Sequence, residues 1–308
     1  MPGCGKSTTA QFLAAQLRRA GHRARWRYEE ETPHPVFRAR YEGPTWDGYF
    51  ADRRDRWAAF VASVESSNEV VILESVLLQT PIMTTLREGV AADAILAHLA
   101  RVQASLLPLS PLLVYLRHPR PDEVLLSTLA KRGPRWEAHH VQGLATTWYA
   151  AARGVSGVSG LLAYWREHAE LVERAVAASP LSTLVVDVTR GDWDERRRAI
   201  LKPLAVSFTP DATVPEASLR RLVGRYRGGA ATTRECVITL REGRLVLEGF
   251  FWPANPLLPS GPDTFEAESW PFELRFERDD GEAVRRMRLS GPPLGWGRVD
   301  GVYERLTQ

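Results

Sequence analysis

The first nine residues, Met1-Pro2-Gly3-Cys4-Gly5-Lys6-Ser7-Thr8-Thr9, constrain this chain more than any other stretch. They spell the downstream part of the pattern G-x-x-x-x-G-K-[ST], without its leading glycine. Gly3 and Gly5 let backbone N–H groups turn inward around phosphate oxygens with no side chain in the way. Cys4 and Thr8 stand in the same turn, Lys6 brings an ammonium for the β and γ phosphates, and Ser7 offers a hydroxyl to Mg²⁺. Residues 7–19 then read as an amphipathic helix with Phe12, Leu13 and Leu17 on one side. The positive N-terminal end of that helix would face bound phosphates. The pattern's first glycine would fall one position before Met1, and the strand that leads into such a turn is missing from the sequence; the expectation is a start codon further upstream.

A chain of 308 residues has room for two domains and a substantial core. Its 44% hydrophobic and 25% charged content is that of an ordinary globular protein. The net charge is +3 and the lysines are Lys6, Lys131 and Lys202 alone, so arginine carries the basic character. Those arginines alternate with acids, which predicts a solvated surface and no nucleic-acid partner. Cys4 and Cys236 are the two cysteines, far apart in sequence, so neither a disulfide framework nor a zinc site is expected. No apolar run approaches the ~18 residues of a membrane span, and no secretory pattern opens the chain. A reducing cytoplasm is the expected location.

Along the chain, 23–28 alternates like a strand and runs into Glu29-Glu30-Glu31-Thr32-Pro33, an acidic, proline-broken loop at a strand's carboxyl end. In a parallel sheet that edge is where ligands bind. Helices are predicted over 49–66, 84–87, 91–106, 122–132, 161–178 and 194–201, with buried strands over 69–73, 111–116 and 184–188. Residues 135–140 read as a basic, aromatic loop or helix start. This alternation predicts α/β architecture, a parallel sheet with helices on both faces, over 1–205. A linker with a short helix follows over 206–221. From 222 to 308 the period switches to two, with hairpins over 235–251 and 272–289, the second turned at Asp279-Asp280-Gly281, and a closing strand over 299–306. That predicts a small antiparallel barrel or sheet, its interior filled by Trp252, Trp270 and Trp296.

Residues 1 to about 202 resemble the thymidylate kinase branch of the P-loop nucleotide kinases. Besides the opening turn, Phe50-Ala51-Asp52-Arg53-Arg54 is similar to that family's F-A-A-D-R helix, and Arg27 through Thr32-Pro33 to its R-E-P-G-G-T-P loop. Pro121-Asp122-Glu123 and Lys131-Arg132-Gly133 resemble the stretch leading into its mobile lid, and Val186-Asp187 the last strand beside the adenine. Glu74-Ser75 stands where the family has D-R-[YSFH], so the substrate-handling arginine of that position is missing. The tail from about Leu222 resembles the small lipocalin-like β domain appended to serine β-lactamase-like proteins, through Leu222-Val223-Gly224-Arg225-Tyr226, Pro262-Asp263-Thr264-Phe265 and Glu273-Leu274-Arg275-Phe276-Glu277-Arg278. No S-x-x-K in an appropriate setting accompanies it.

The resemblance implies ATP and Mg²⁺ as cofactors and a small-molecule phosphoryl acceptor. Lys6 and the loop amides would hold the donor, with Ser7 and Glu74 on the metal. Arg117, Arg120 and Arg132 are candidates for a lid over the γ-phosphate. Glu29, Glu31, Arg53 and Trp136 are candidates for the acceptor site, Arg53 as a clamp for an anionic group. A nucleotide-binding regulator without transfer chemistry is the competing reading. A homodimeric assembly is left open.

Overall fold

A computed structural model describes residues 1–37, 43, 45–189, 192–229, 234–250, 253–279 and 283–306. Two units make up the chain: Met1–Glu29 with His34–Phe208, and Glu30–Pro33 with Thr209–Gln308.

The first unit alternates strand and helix as the apolar pattern dictates. Its elements are α1 (Lys6–Arg19), β1 (Ala24–Arg27), α2 (Trp46–Glu65), β2 (Val70–Leu73), α3 (Gln79–Arg87) and α4 (Ala92–Ser105), followed by β3 (Leu112–Arg117) and α5 (Pro121–Arg132). Then come α6 (Pro134–Ala145), α7 (Trp148–Arg153), α8 (Gly157–Ala177), β4 (Ser182–Asp187) and α9 (Trp193–Leu201). β1 pairs parallel with β2, Ala24 opposite Val70, and β3 pairs parallel with β4, Leu112 opposite Ser182. Successive side chains of a strand point to opposite faces. Val71 and Leu73 of β2 and Leu113 of β3 thus join Trp57, Phe60 and Val61 of α2 and Val102 of α4. On the other face Ile72, Val114 and Leu116 join Leu13 and Leu17 of α1 and Ile200 and Leu201 of α9. Helices therefore cover both faces of one strand layer, as the alternation predicts. The layer is built as two two-stranded pairs, with no ladder between β2 and β3 among the described residues. A third cluster, around Ile82, Ile95, Leu125, Tyr164 and Trp165, packs α3 to α8 together.

Helix starts follow local chemistry. Pro134 opens α6 behind Gly133 (φ +84°), turning the 135–140 stretch into a helix rather than a loop. The Thr147 hydroxyl accepts from the Ala150 N–H at 3.3 Å and caps α7, a helix too short for its period to stand out.

In the second unit α10 (Glu216–Leu222) precedes β5 (Gly224–Gly228), β6 (Glu235–Arg241), β7 (Arg244–Glu248), β8 (Asn255–Pro259), β9 (Thr264–Ala267), β10 (Glu273–Arg278), β11 (Val284–Ser290) and β12 (Gly301–Arg305). Each strand pairs antiparallel with the next, and β12 returns to β5 to close an eight-stranded barrel. Tyr226, Ile238, Leu247, Phe265, Leu274, Met287 and Tyr303 are fully buried. Tyr226 and Tyr303 turn their hydroxyls onto the carbonyls of Leu222 and Val299 at 2.8 and 2.9 Å, so no phenol is left dry. The outer face carries cross-strand ion pairs such as Arg225–Glu235 and Arg288–Glu277. Of the three tryptophans expected inside, Trp270 is buried, but Trp296 is 45% exposed, edging against Trp270 at 6.4 Å between centroids and donating to Glu30 Oε2 at 2.9 Å. Trp252 and the Asp280-Gly281 turn lie outside the described residues.

Residues 30–33 also belong to this unit. Glu31 forms an antiparallel bridge with Leu294, Thr32 N–H donates to Pro293 O at 2.8 Å, and Gly295 N–H donates to Glu30 O at 2.9 Å.

Three buried histidines and the half-buried His140 set the acid response. Burial, then the Met1 ammonium, pushes His168 down to about 3; burial, then neighbouring cations, pushes His34, His98 and His140 down to about 4. Between those values and the ordinary ~6.5 the unfolded chain binds protons that the folded chain refuses, so the histidines' contribution to stability is fully present above about pH 6.5 and drains as pH falls towards 4. Glu74, pushed upward by burial, works in the opposite sense but is one group against four. The thermal midpoint should therefore drop between pH 7 and 4.5, and His168→Gln should flatten that drop in a melting series.

Candidate active site

Gly3 and Gly5 both adopt left-handed backbone, φ +83° and +82°. A Cβ on Gly3 would lie 2.0 Å from the Thr128 hydroxyl oxygen, and one on Gly5 would lie 2.8 Å from the Trp193 ring. The turn thus runs with no room for side chains and leads directly into α1. Gly5 is the N-cap of α1, and Thr9 N–H donates to its carbonyl at 2.9 Å. Cys4 is buried beneath, Thr8 sits in the first turn of α1, and Lys6 Nζ arches back to donate to Met1 O at 2.8 Å. That bond parks the ammonium over the turn.

Ser7 Oγ donates to Glu74 Oε1 at 2.7 Å, and Trp26 Nε1–H donates to Glu74 Oε2 at 2.9 Å. The register explains the meeting: Trp26 is opposite Ile72 and Arg27 opposite Leu73, so β1 and β2 end at the same edge of the layer. Glu74 is 4% exposed. Burial, then the nearby Glu29 carboxylate, holds its carboxyl well above the ordinary range, while Ser7, Lys6 and Trp26 pull the other way. Beyond it Ser75 takes the left-handed conformation (φ +64°), and its hydroxyl is buried with no hydrogen-bond partner among the described residues. A non-glycine residue held there stores about 1–3 kcal/mol, a feature that clusters at functional sites. Thr80 Oγ1 lies 3.5 Å from Glu29 Oε2, which keeps that acid beside the start of α3.

Arg53, on α2, is buried, and its guanidinium donates to Val36 O at 2.5 Å and Tyr49 OH at 3.2 Å. It lies over the rings of Phe37 and Tyr49 at 4.6 and 5.2 Å. Dipoles and ring faces surround it, and no ion pair to a carboxylate is formed among the described residues. Next to it His34 accepts from the N–H groups of Val36 and Phe37 at 3.2 and 3.1 Å. Burial, then Arg27 and Arg53, keeps that ring neutral. Arg53, expected as a clamp for an anionic group, is thus a buried cation held by a carbonyl, a phenol and ring faces.

The remaining candidates are spread out. Arg117 is exposed and pairs with Glu173 at 2.9 Å, and Arg120 pairs with Glu123 at 2.7 Å. The Arg132 guanidinium lies 4.7 Å over the Trp136 ring, which in turn faces His140 at 3.8 Å. Glu31 bridges Leu294 in the second unit, away in the chain's own division from Glu29. The structure thus brings together Lys6, Ser7, Glu29 and Glu74. Three residues absent from the sequence expectations help build the site: Trp26, which fixes Glu74, and Thr128 and Trp193, which wall the two glycines. For Trp26 the signal is its place in the alternating stretch just before the acids. Among the described residues no three His, Cys, Asp or Glu side chains gather to hold a metal by themselves, and no helix is long and apolar enough to cross a membrane.

No family profile matches the sequence, and no curated protein matches it. Among solved structures, the deoxyadenosine kinase from M. mycoides with bound dATP aligns over 66% of this chain and 95% of that chain, with 16% identity and a TM-score of 0.35.

Gly3→Ala should lower the unfolding free energy by about 2 kcal/mol or more, through left-handed strain and the clash with Thr128. Urea titrations of Gly3→Ala, Thr128→Ala and the double variant test this: the double should recover the clash and retain the strain, giving a coupling of about 1 kcal/mol.

Proposed function

We propose that the first unit transfers the γ-phosphoryl group of ATP to a small-molecule acceptor of nucleoside or nucleotide type. The observation that carries this reading is the joining of the glycine turn to an acid: Lys6 and Ser7 open α1, and the Ser7 hydroxyl is hydrogen-bonded to Glu74 at the end of β2. Phosphoryl transfer needs positioning and charge neutralisation more than covalent chemistry, and these groups supply both.

The turn's amides and Lys6 would hold the β and γ phosphates. Ser7 and Glu74 offer the hard oxygen donors that suit Mg²⁺, an ion that is usually held by one or two protein oxygens, phosphates and waters rather than by a closed protein cage. When bound there, Mg²⁺ would supply charge neutralisation for the transferring phosphoryl group. Glu29, beside Glu74, would take the proton of an acceptor hydroxyl, and Arg53 would face an anionic or electron-rich part of the acceptor. Arg117 and Arg120 sit in exposed, solvent-screened ion pairs, so a triphosphate would recruit them from Glu173 and Glu123 with little loss. Arg132 can leave the Trp136 face on similar terms.

The test is phosphoryl transfer from ATP to a panel of nucleosides and nucleotides, read by mass spectrometry, together with Mg·ATP thermal shift. Wild type should give a phosphorylated product, and Lys6→Ala should lose both product and shift by a hundredfold or more. A shift with no product from any acceptor would instead make the chain a nucleotide binder.

Glu74 adds a second prediction. Its carboxyl is held up in pKa and so carries a proton at neutral pH, which a metal ion would displace. Mg·ADP binding at pH 7 should release up to one proton, seen as a dependence of calorimetric enthalpy on buffer ionisation, and Glu74→Gln should remove that dependence.

A further inference from the structure

We infer that Ser75 receives the attacking oxygen of the phosphoryl acceptor, and that this oxygen belongs to an uncharged alcohol rather than to a phosphate. The inference rests on the reading of the glycine turn and Glu74 as a phosphoryl-transfer site, and names the acceptor class of that site.

Ser75 combines two unfavourable features at one position. Its backbone is left-handed (φ +64°), and its hydroxyl is buried with no hydrogen-bond partner among the described residues. A residue with a Cβ avoids that conformation, and a hydroxyl cut off from water without a partner is destabilising. The conformation is enforced from both sides. Glu74 is pinned by Ser7 and Trp26, Val76 N–H donates to Glu74 O at 2.7 Å, and Thr80 N–H donates to Ser75 O at 3.0 Å. The same Thr80 has its hydroxyl 3.5 Å from Glu29 Oε2. An unmet hydroxyl is thus framed between Glu74 and the start of α3, where Thr80 meets Glu29. Strain and an unsatisfied polar group kept together at such a place are what contact with a substrate would relieve.

The charges nearby select the kind of substrate. The charged groups that act most on Glu74 are the Glu29 carboxylate and the Lys6 ammonium, and Lys6 opens the helix that would face the donor's phosphates. Arg53 stays engaged with Val36 O, Tyr49 OH and two ring faces. A phosphate acceptor would bring about −1.5 to −2 of charge towards Glu29 beside the buried Glu74. An alcohol brings none. Its oxygen can accept from the Ser75 hydroxyl while its proton is directed at Glu29. In the transfer a bond forms between that oxygen and the γ-phosphorus, and the bond from the γ-phosphorus to its bridging oxygen breaks. ADP leaves with the electron pair, and the proton passes to Glu29.

Initial rates with Mg·ATP against the common nucleosides and their 5′-monophosphates test this in wild type, Ser75→Ala and Ser75→Gly, with calorimetric titration of Mg·ADP alongside. Wild type should phosphorylate a nucleoside and use the matching monophosphate with a kcat/KM more than tenfold lower. Ser75→Ala should raise KM for that nucleoside about three- to tenfold and leave Mg·ADP affinity unchanged. Ser75→Gly relieves the backbone strain and should melt no lower than Ser75→Ala, yet show the same rise in KM, because the acceptor misses the hydroxyl and not the turn. Monophosphates used within tenfold of the nucleosides would overturn the inference. So would an unchanged nucleoside KM in both variants, or an Mg·ADP affinity that falls in step with it, which would put Ser75 in the donor site. Product from neither series would strike the phosphoryl-transfer reading itself, a result distinct from the others.

Discussion

One hydrogen bond, from Ser7 to Glu74, ties the beginning of the first helix to the end of a strand 67 residues further on. A buried carboxyl is tolerated only where its oxygens find donors, because burial without partners costs several kcal/mol. Ser7 satisfies one oxygen and Trp26 the other, each from a different element. The acid is thus fixed in place by the elements that would frame a nucleotide, and those elements are fixed by the acid. Raising its proton affinity is the physical cost of placing it there, and a metal or a cationic ligand can reclaim that energy.

Shape constraints act alongside. The turn is squeezed from two sides, with Thr128 of α5 against Gly3 and Trp193 of α9 against Gly5. Both helices follow strands of the β3–β4 pair, whereas Glu74 and Trp26 come from the β1–β2 pair. The glycine turn is therefore where elements of the two strand pairs meet, although no ladder runs between β2 and β3 among the described residues.

Much of this was readable from the residues, and the parts that were not share a cause. The glycine turn, the alternation of α1 to α9 and the hairpins β6–β7 and β10–β11 rest on local pattern, which a sequence displays directly. β8 was hidden because Pro256 and Pro259 depress any strand reading, and it is tolerated where the ladder is short, two pairs with β7. Trp26 could be placed on a strand but not against Glu74, since that depends on parallel register. Arg117 looked available because its partner Glu173 lies on α8, 56 residues away. Likewise the acid run 29–31 reads as one loop, whereas the fold divides it between Glu29 and the barrel's Glu30 and Glu31.

That division has a consequence for dissecting the molecule. Because four residues from the early chain complete the barrel unit, the two units are interleaved and no single cut in the sequence separates them cleanly. A fragment ending near Phe208 would keep Glu30–Pro33 but lose Pro293, Leu294 and Gly295, while the complementary fragment would present the 293–297 turn with an open edge. Unpaired strand edges invite pairing with other chains. Aggregation of either half would then report a broken fold rather than an unstable domain, and freeing the barrel would take joining residues 30–33 to the 209–308 segment through a new connection.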